Sequence, residues 1–166
     1  MSTAARGEPR ARHRRNLTAG ILFGLGTVAF VDEVVFHQLL HWHHFYDLST
    51  SEVGLVSDGL FHAFSWFATV ASLLMVAALR REHTFWGLAF AAGWLSGAGF
   101  FQLYDGLIQH KVLGLHQIRY GVNLVPYDVT WNVIAAVLLV SGVALWTRTA
   151  RHAGRSGRPA EPTEAS

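Results

Sequence analysis

Apolar positions gather into four long stretches along this chain, and polar positions cluster at their ends. About 20 consecutive apolar residues are needed to cross a ~30 Å hydrocarbon core as a helix. The pattern predicts helices over about Asn16–Phe45, Glu52–Leu79, Thr84–His110 and Pro126–Arg148. Thr50 or Ser51 is placed to cap the second helix, and Pro126 suits the first turn of the fourth. Gly87, Gly93, Gly97 and Gly99 stud the third, where small residues let membrane helices approach closely. The connection Lys111–Val125 carries Val112, Leu113 and Leu115, so it is predicted to lie in the interface or on the helices. The predicted fold is an all-α, polytopic membrane four-helix bundle over residues 16–149. Polar segments 1–15 and 150–166, rich in Arg or in Gly, Pro, Ser and Glu, flank it and are predicted to be disordered.

One stretch breaks the apolar pattern. Phe30–His44, FVDEVVFHQLLHWHH, places Asp32, Glu33, His37, His41, His43 and His44 at the end of the first helix. A charged side chain at mid-membrane costs at least about 2.5 kcal/mol, so such residues usually face a protein interior. At α-helical spacing Glu33, His37, His41 and His44 form one stripe, with Asp32 beside it.

Composition narrows the class. Of 166 residues, 51% are hydrophobic and only 14% charged, against about 25% charged in a soluble domain. There is no cysteine, which excludes disulfides, thiolate catalysis and thiolate metal sites. Arg6, Arg10, Arg12, Arg14, Arg15, Arg80, Arg81, Arg148, Arg151, Arg155 and Arg158 fall on one predicted side, and only Lys111 and Arg119 on the other. The positive-inside rule then predicts both termini in the cytoplasm, so the arginines report topology rather than nucleic-acid binding. No small-residue cleavage site follows the first arginines, which reads as a tail and not as a cleaved leader.

Helices one and three share a spacing. Asp32, His37 and His43 are five and six residues apart, and so are Asp105, His110 and His116. Helices two and four match more loosely, with Asp58 and His62 against Asp128 and Asn132. Two repeated helical hairpins account for this, related by an axis along the membrane normal. Depth gathers the polar residues into one layer. At ~1.5 Å per residue, Asp32 lies ~24 Å above Asn16, His62 ~27 Å above Arg80, Asp128 ~30 Å above Arg148 and Asp105 ~33 Å above His83.

The blocks VAFVDEVVFHQLLHWHH, DGLFHAFSW, FQLYDGLIQHKVLGLHQIRY and NLVPYDVTWN, spread over residues 16–148, resemble those of a bacterial four-helix inner-membrane family, domain of unknown function 2243. The resemblance implies a multi-pass protein of the cytoplasmic membrane and no established activity. It also implies the lipid bilayer as a partner, together with a respiratory or oxidase-assembly membrane protein; the placement of the arginines, not the resemblance, argues for no nucleic acid.

Several chemistries fit the layer. Imidazole and carboxylate together suit iron, zinc, manganese or copper(II). The candidate ligands are His37, Asp58, His62, Asp105, His110 and Glu33, with Asp32 and Asp128 as supporting partners. Asp58 with His62, and Glu33 with His37, have the four-residue spacing that lets one helix grip one ion. Haem is an alternative, with His37, His62 or His110 as axial ligands and Trp42, Trp66, Phe36 and Phe61 as walls. His37-Gln-Leu-Leu-His41 and His41-Trp-His43-His44 echo the boxes of membrane di-iron enzymes, but a second paired box is missing. A structural reading stands beside these: acids and histidines tie helices together, and His43, His44 and His116 are solvated at the interface. A proton relay lacks polar residues continuing into the inner half. No nucleophile turn and no phosphate-binding glycine loop is present, so no catalytic residue is assigned and enzyme activity stays open.

Overall fold

The computed structural model describes residues 3–156, and side chains within 8–155. It is all-helical among the described residues. Helix α1 spans Thr3–Asp32 and passes into a π-helical segment, Glu33–Leu39. Helix α2 spans Ser51–Arg81. Helix α3 spans Gly87–Leu103 and passes into a second π-helical segment, Tyr104–Leu113. Helix α4 spans Val125–Ser156. Three stretches, Glu8–Leu39, Ser51–Arg81 and Val125–Arg155, are long and apolar enough to cross a membrane. Helix α3 has only 17 α-helical residues and reaches a full span's length with its π segment.

Two boundaries differ from expectation. The Arg-rich segment expected as a disordered tail over 1–15 is helical from Thr3. Its Ala, Arg and Glu residues favour helix, and its last turn is docked. The Arg12 guanidinium donates to the Thr84 carbonyl (3.0 Å), as does the Asn16 amide (3.0 Å), and His13 meets the Thr149 hydroxyl (2.9 Å). Helix α4 likewise continues past Arg148 to Ser156, within the segment expected to be disordered. Residues 157–166 lie outside the described residues.

The packing inverts that of a soluble protein. Asp32, Glu33, His37, Asp58, Asp105, His110 and His116 are buried, while Leu55, Leu60, Phe67, Leu74, Val129, Val133, Val137 and Val140 are exposed. In lipid there is no apolar driving force between helices, so small residues set the contacts. Gly20 and Gly24 of α1 lie against the carbonyls of Phe90 and Trp94, and Gly93 and Gly97 of α3 against those of Leu17 and Ile21. The two four-residue glycine steps interlock, and α1 and α3 run in the same direction. Gly26 fits α2 at Ser65 and Thr69, and Gly99 fits α4 at Ala135 and Leu139, both pairs antiparallel. One constant offset relates Gly20 to Gly93, Gly24 to Gly97 and Gly26 to Gly99, and the same offset relates Asp32 to Asp105. The site is therefore carried by this closely packed helix pair, flanked by α2 and α4. A small apolar cluster underlies it. Phe61 stacks on Phe45 (4.8 Å) and on Phe101 (5.8 Å), with Ala29 buried among them.

Candidate metal centre

The π segments make the site. A π turn bonds residue i to i+5, is rare, and recurs at functional positions. It brings residues five apart onto one side. Asp32 and His37 are five apart, as are Asp105 and His110. His110 Nε2 stands 3.1 Å from Asp105 Oδ2, and His37 Nε2 3.8 Å from Asp32 Oδ2. Gln38 donates to Glu33 Oε1 at 2.8 Å over the same step. The expected α-helical stripe through Glu33, His37, His41 and His44 is consequently broken. The helix ends at Leu39, and His41 turns outward with a left-handed backbone, φ 50°. Gly114 holds the matching position after the second π segment, φ 60°.

The connections then fold back over the helix ends. His43 and His116, read from sequence as solvated, are buried. Their rings stack at 4.6 Å with an interplanar angle of 7°. His37 lies 4.5 Å from His43, and His110 lies 4.7 Å from His116, centroid to centroid. Four imidazoles thus form a continuous row, with Asp32 near one end and Asp105 near the other.

Hydrogen bonds fix the tautomers. His43 Nδ1 faces the Ile118 carbonyl (3.0 Å), and His116 Nδ1 faces the Phe45 carbonyl (2.9 Å). A carbonyl only accepts, so each Nδ1 carries the proton and each Nε2 keeps its lone pair. His37 Nδ1 lies 3.0 Å from Asp58 Oδ1, which leaves its Nε2 as the free nitrogen too. Asp58 also accepts from His44 Nδ1 (2.6 Å) and from the Phe45 amide (2.7 Å). Glu33 Oε2 is 2.9 Å from His37 Nδ1 but out of line for a hydrogen bond. The Nε2 atoms of His37, His43 and His116, and both ring nitrogens of His110, are buried without a hydrogen-bond partner. An orphaned buried polar group costs about 1–3 kcal/mol. Burial, reinforced by His116, pushes the His43 imidazole down to about 2, so it is neutral and available as a ligand.

Three groups bring one ligand atom per residue within 4.8 Å of each other: Asp32–His37–His43, Asp105–His110–His116, and Glu33–His37–Asp58. The first two match across the repeat offset. The third has no counterpart, because Gly106 occupies the position matching Glu33, pressed on Trp131 and Asn132.

Six of the eight sequence-derived candidates therefore come together: Asp32, Glu33, His37, Asp58, Asp105 and His110. Two do not. His62 is exposed on the outer face of α2, its ring 5.6 Å from that of Phe30. The four-residue step from Asp58 carries it out of the buried cluster, against the exposed Phe30 of α1. Asp128 pairs with Lys111 at 2.7 Å instead. His43 and His116 were legible only through the shared five-and-six spacing, which ends on them in both halves. A polar cavity of 390 Å³ lined by His41, Trp42, His43, His44, Asp47 and Tyr120 gives access from the loop side.

These features define an integral membrane protein whose buried acid–histidine cluster lies where two helix ends meet. The chain belongs to the family described as predicted membrane protein (DUF2243), whose model matches residues 19–149. No curated protein and no solved structure matches the chain.

Proposed function

We propose that this protein is a multi-pass membrane protein that binds a transition metal between its first and third helices. The observation that carries the reading is the set of lone-paired Nε2 atoms on His37, His43 and His116. Each ring's Nδ1 is held by a carbonyl or carboxylate, the usual support of a ligating histidine. Asp32 and Asp105 add oxygen donors, and Asp58 orients His37. The donor set suits iron, zinc, manganese or copper(II). A duplicated hairpin accounts for the paired triplets and the paired glycine contacts, giving a four-helix bundle with two matching halves. The arginine asymmetry supports both termini in the cytoplasm, in a bacterial inner membrane, with the site facing outward. Metal handling or assembly of a respiratory complex fits such a site.

The row of rings supports a metal ion over haem. His43 and His116 stack directly at 4.6 Å, leaving no width for a porphyrin between them. Metal analysis of the detergent-purified protein, with an optical spectrum of the same sample, tests the reading. Stoichiometric metal without a Soret band is expected. A Soret band selects haem, and protein purified and reconstituted without any stoichiometric metal sinks the proposal in favour of a structural cluster. Reporter fusions at Asp47 and Glu82 test the orientation, with an external signal expected only at Asp47.

A further inference from the structure

Two grooves flank the α1–α3 pair, and they are counterparts. The first, of 670 Å³, is lined by Val28, Phe36, Tyr127 and Trp131. The second, of 490 Å³, is lined by Phe101, Gln109, Ser57 and Phe61 at the matching positions. They differ at the carboxylate. Beside the second groove, Gln109 donates to Asp105 Oδ1 at 3.0 Å, so that acid is capped. Phe36 stands at the corresponding place in the first groove and has nothing to donate. Asp32 lines that groove, is 4% exposed, and its carboxylate takes part in no hydrogen bond among the described residues. The basic group that faces it is His37 Nε2, 3.8 Å from Oδ2. Gln102 lines the same groove with a buried Oε1 that lacks a partner.

The walls indicate what supplies the missing donor. Trp42 also lines this groove. Phe36 lies 5.1 Å from Trp42 and 5.6 Å from Trp131, and Trp42 lies 5.8 Å from Tyr127, centroid to centroid. Such rings accept a further flat ring by stacking or edge contacts. The groove opens on the apolar flank of the molecule, where Val31 and Ile134 are exposed.

We infer that this groove binds a bilayer-soluble aromatic alcohol of the hydroquinone class. The ring lies among Phe36, Trp42 and Trp131, one hydroxyl donates to Asp32, and the tail leaves past Ile134. This rests on the metal reading only in part: a carboxylate has two oxygens, so Asp32 can accept a hydroxyl with or without an ion between it and His37.

The test is equilibrium binding of tritiated decylhydroquinone to the full chain in lipid nanodiscs, with empty nanodiscs as blank. It is run on metal-loaded and on chelator-treated protein. Saturable binding is expected in both, with decylbenzene failing to compete because it has no hydroxyl. Thr130→Trp fills the first groove, and its affinity should fall at least about tenfold. Leu60→Trp, the same change in the second groove, should stay within about twofold. Asp32→Asn should weaken binding about tenfold while leaving decylbenzene partitioning unchanged. Because Thr130 and Leu60 both face lipid, each variant is checked for an unchanged helical spectrum, and Ile134→Trp replaces Thr130→Trp if that variant misfolds. Equal displacement by decylbenzene, no saturable binding, or undiminished binding in the filled-groove variant overturns the inference. Saturable binding to protein that never takes up stoichiometric metal would refute the metal reading alone.

Discussion

Replacing Gly24 or Gly97 by alanine tests whether the glycine contact holds the site together. A Cβ at Gly24 would lie 2.2 Å from the Trp94 carbonyl oxygen and 2.7 Å from the Ala98 nitrogen. At Gly97 it would lie 2.4 Å from the Ile21 oxygen. All of these obstacles are backbone, so no side chain can swing aside. Non-bonded carbons pack at about 3.5–4.0 Å, so α1 and α3 must separate by about 1 Å. Overpacking of this kind costs about 1–3 kcal/mol. The larger effect is on the site, because each helix delivers one acid–histidine pair and the facing loop orients the third histidine. Metal ligands tolerate about 0.2 Å of displacement, so affinity should fall at least about tenfold, or ~1.4 kcal/mol. Gly59→Ala is the control, since nothing lies within 4 Å of its added Cβ. It should be neutral, or stabilising by up to about 1 kcal/mol through helix propensity. The assay is reversible unfolding in mixed micelles, with bound metal measured on the same preparations. If Gly24→Ala and Gly97→Ala match Gly59→Ala in stability and keep their metal, the close approach is not what positions the site.

Three further outcomes follow from particular residues. His43→Ala and His116→Ala should each abolish stoichiometric metal, whereas His62→Ala should keep it because that ring is exposed on the outer face of α2; retention after His43→Ala refutes the assignment. His41→Gly should raise stability by about 0.5–1 kcal/mol, since φ 50° suits glycine and a glycine already holds the matching place at 114; a lower unfolding midpoint would count against strain there. The acid dependence follows from His43, which is held neutral near 2 in the folded protein and titrates near 6.5 when unfolded. Its contribution is complete above pH ~6.5 and is lost below it at up to about 1.4 kcal/mol per pH unit. Chelator-treated His43→Gln should lose stability less steeply between pH 6.5 and 4.5, and an unchanged slope would remove His43 from the account.

Helix number and the polar layer were legible because apolar length and charged intrusion are strong local signals in lipid. Helix α2 falls within two residues of its expected ends, at Ser51 and Arg81. Six candidate residues could be named because a buried acid or imidazole at membrane depth is costly wherever it occurs. The π turns were harder to read. The four-residue steps from Glu33 to His37 and from Asp58 to His62 suggested ordinary α-helical faces. The five-residue step that repeats in both halves was the better guide. His62 was assigned from spacing alone, while the face of α2 that meets α1 is set by Gly26 against Ser65 and Thr69, a contact no single helix discloses. His43 and His116 were missed because their burial depends on carbonyls more than seventy residues away.

That pairing of each ring with the opposite loop has a consequence for assembly. His43 is oriented by Ile118 and His116 by Phe45, so neither hairpin can tauten its own histidine. The site is a handshake across the seam. Translation delivers the first pair of helices well before the second, and a solitary leading hairpin carries a slack, unoriented histidine. Competence arrives all at once, when the trailing hairpin docks, and a chain severed in the Arg81–Trp86 link would regain it only if its two pieces found each other in the bilayer.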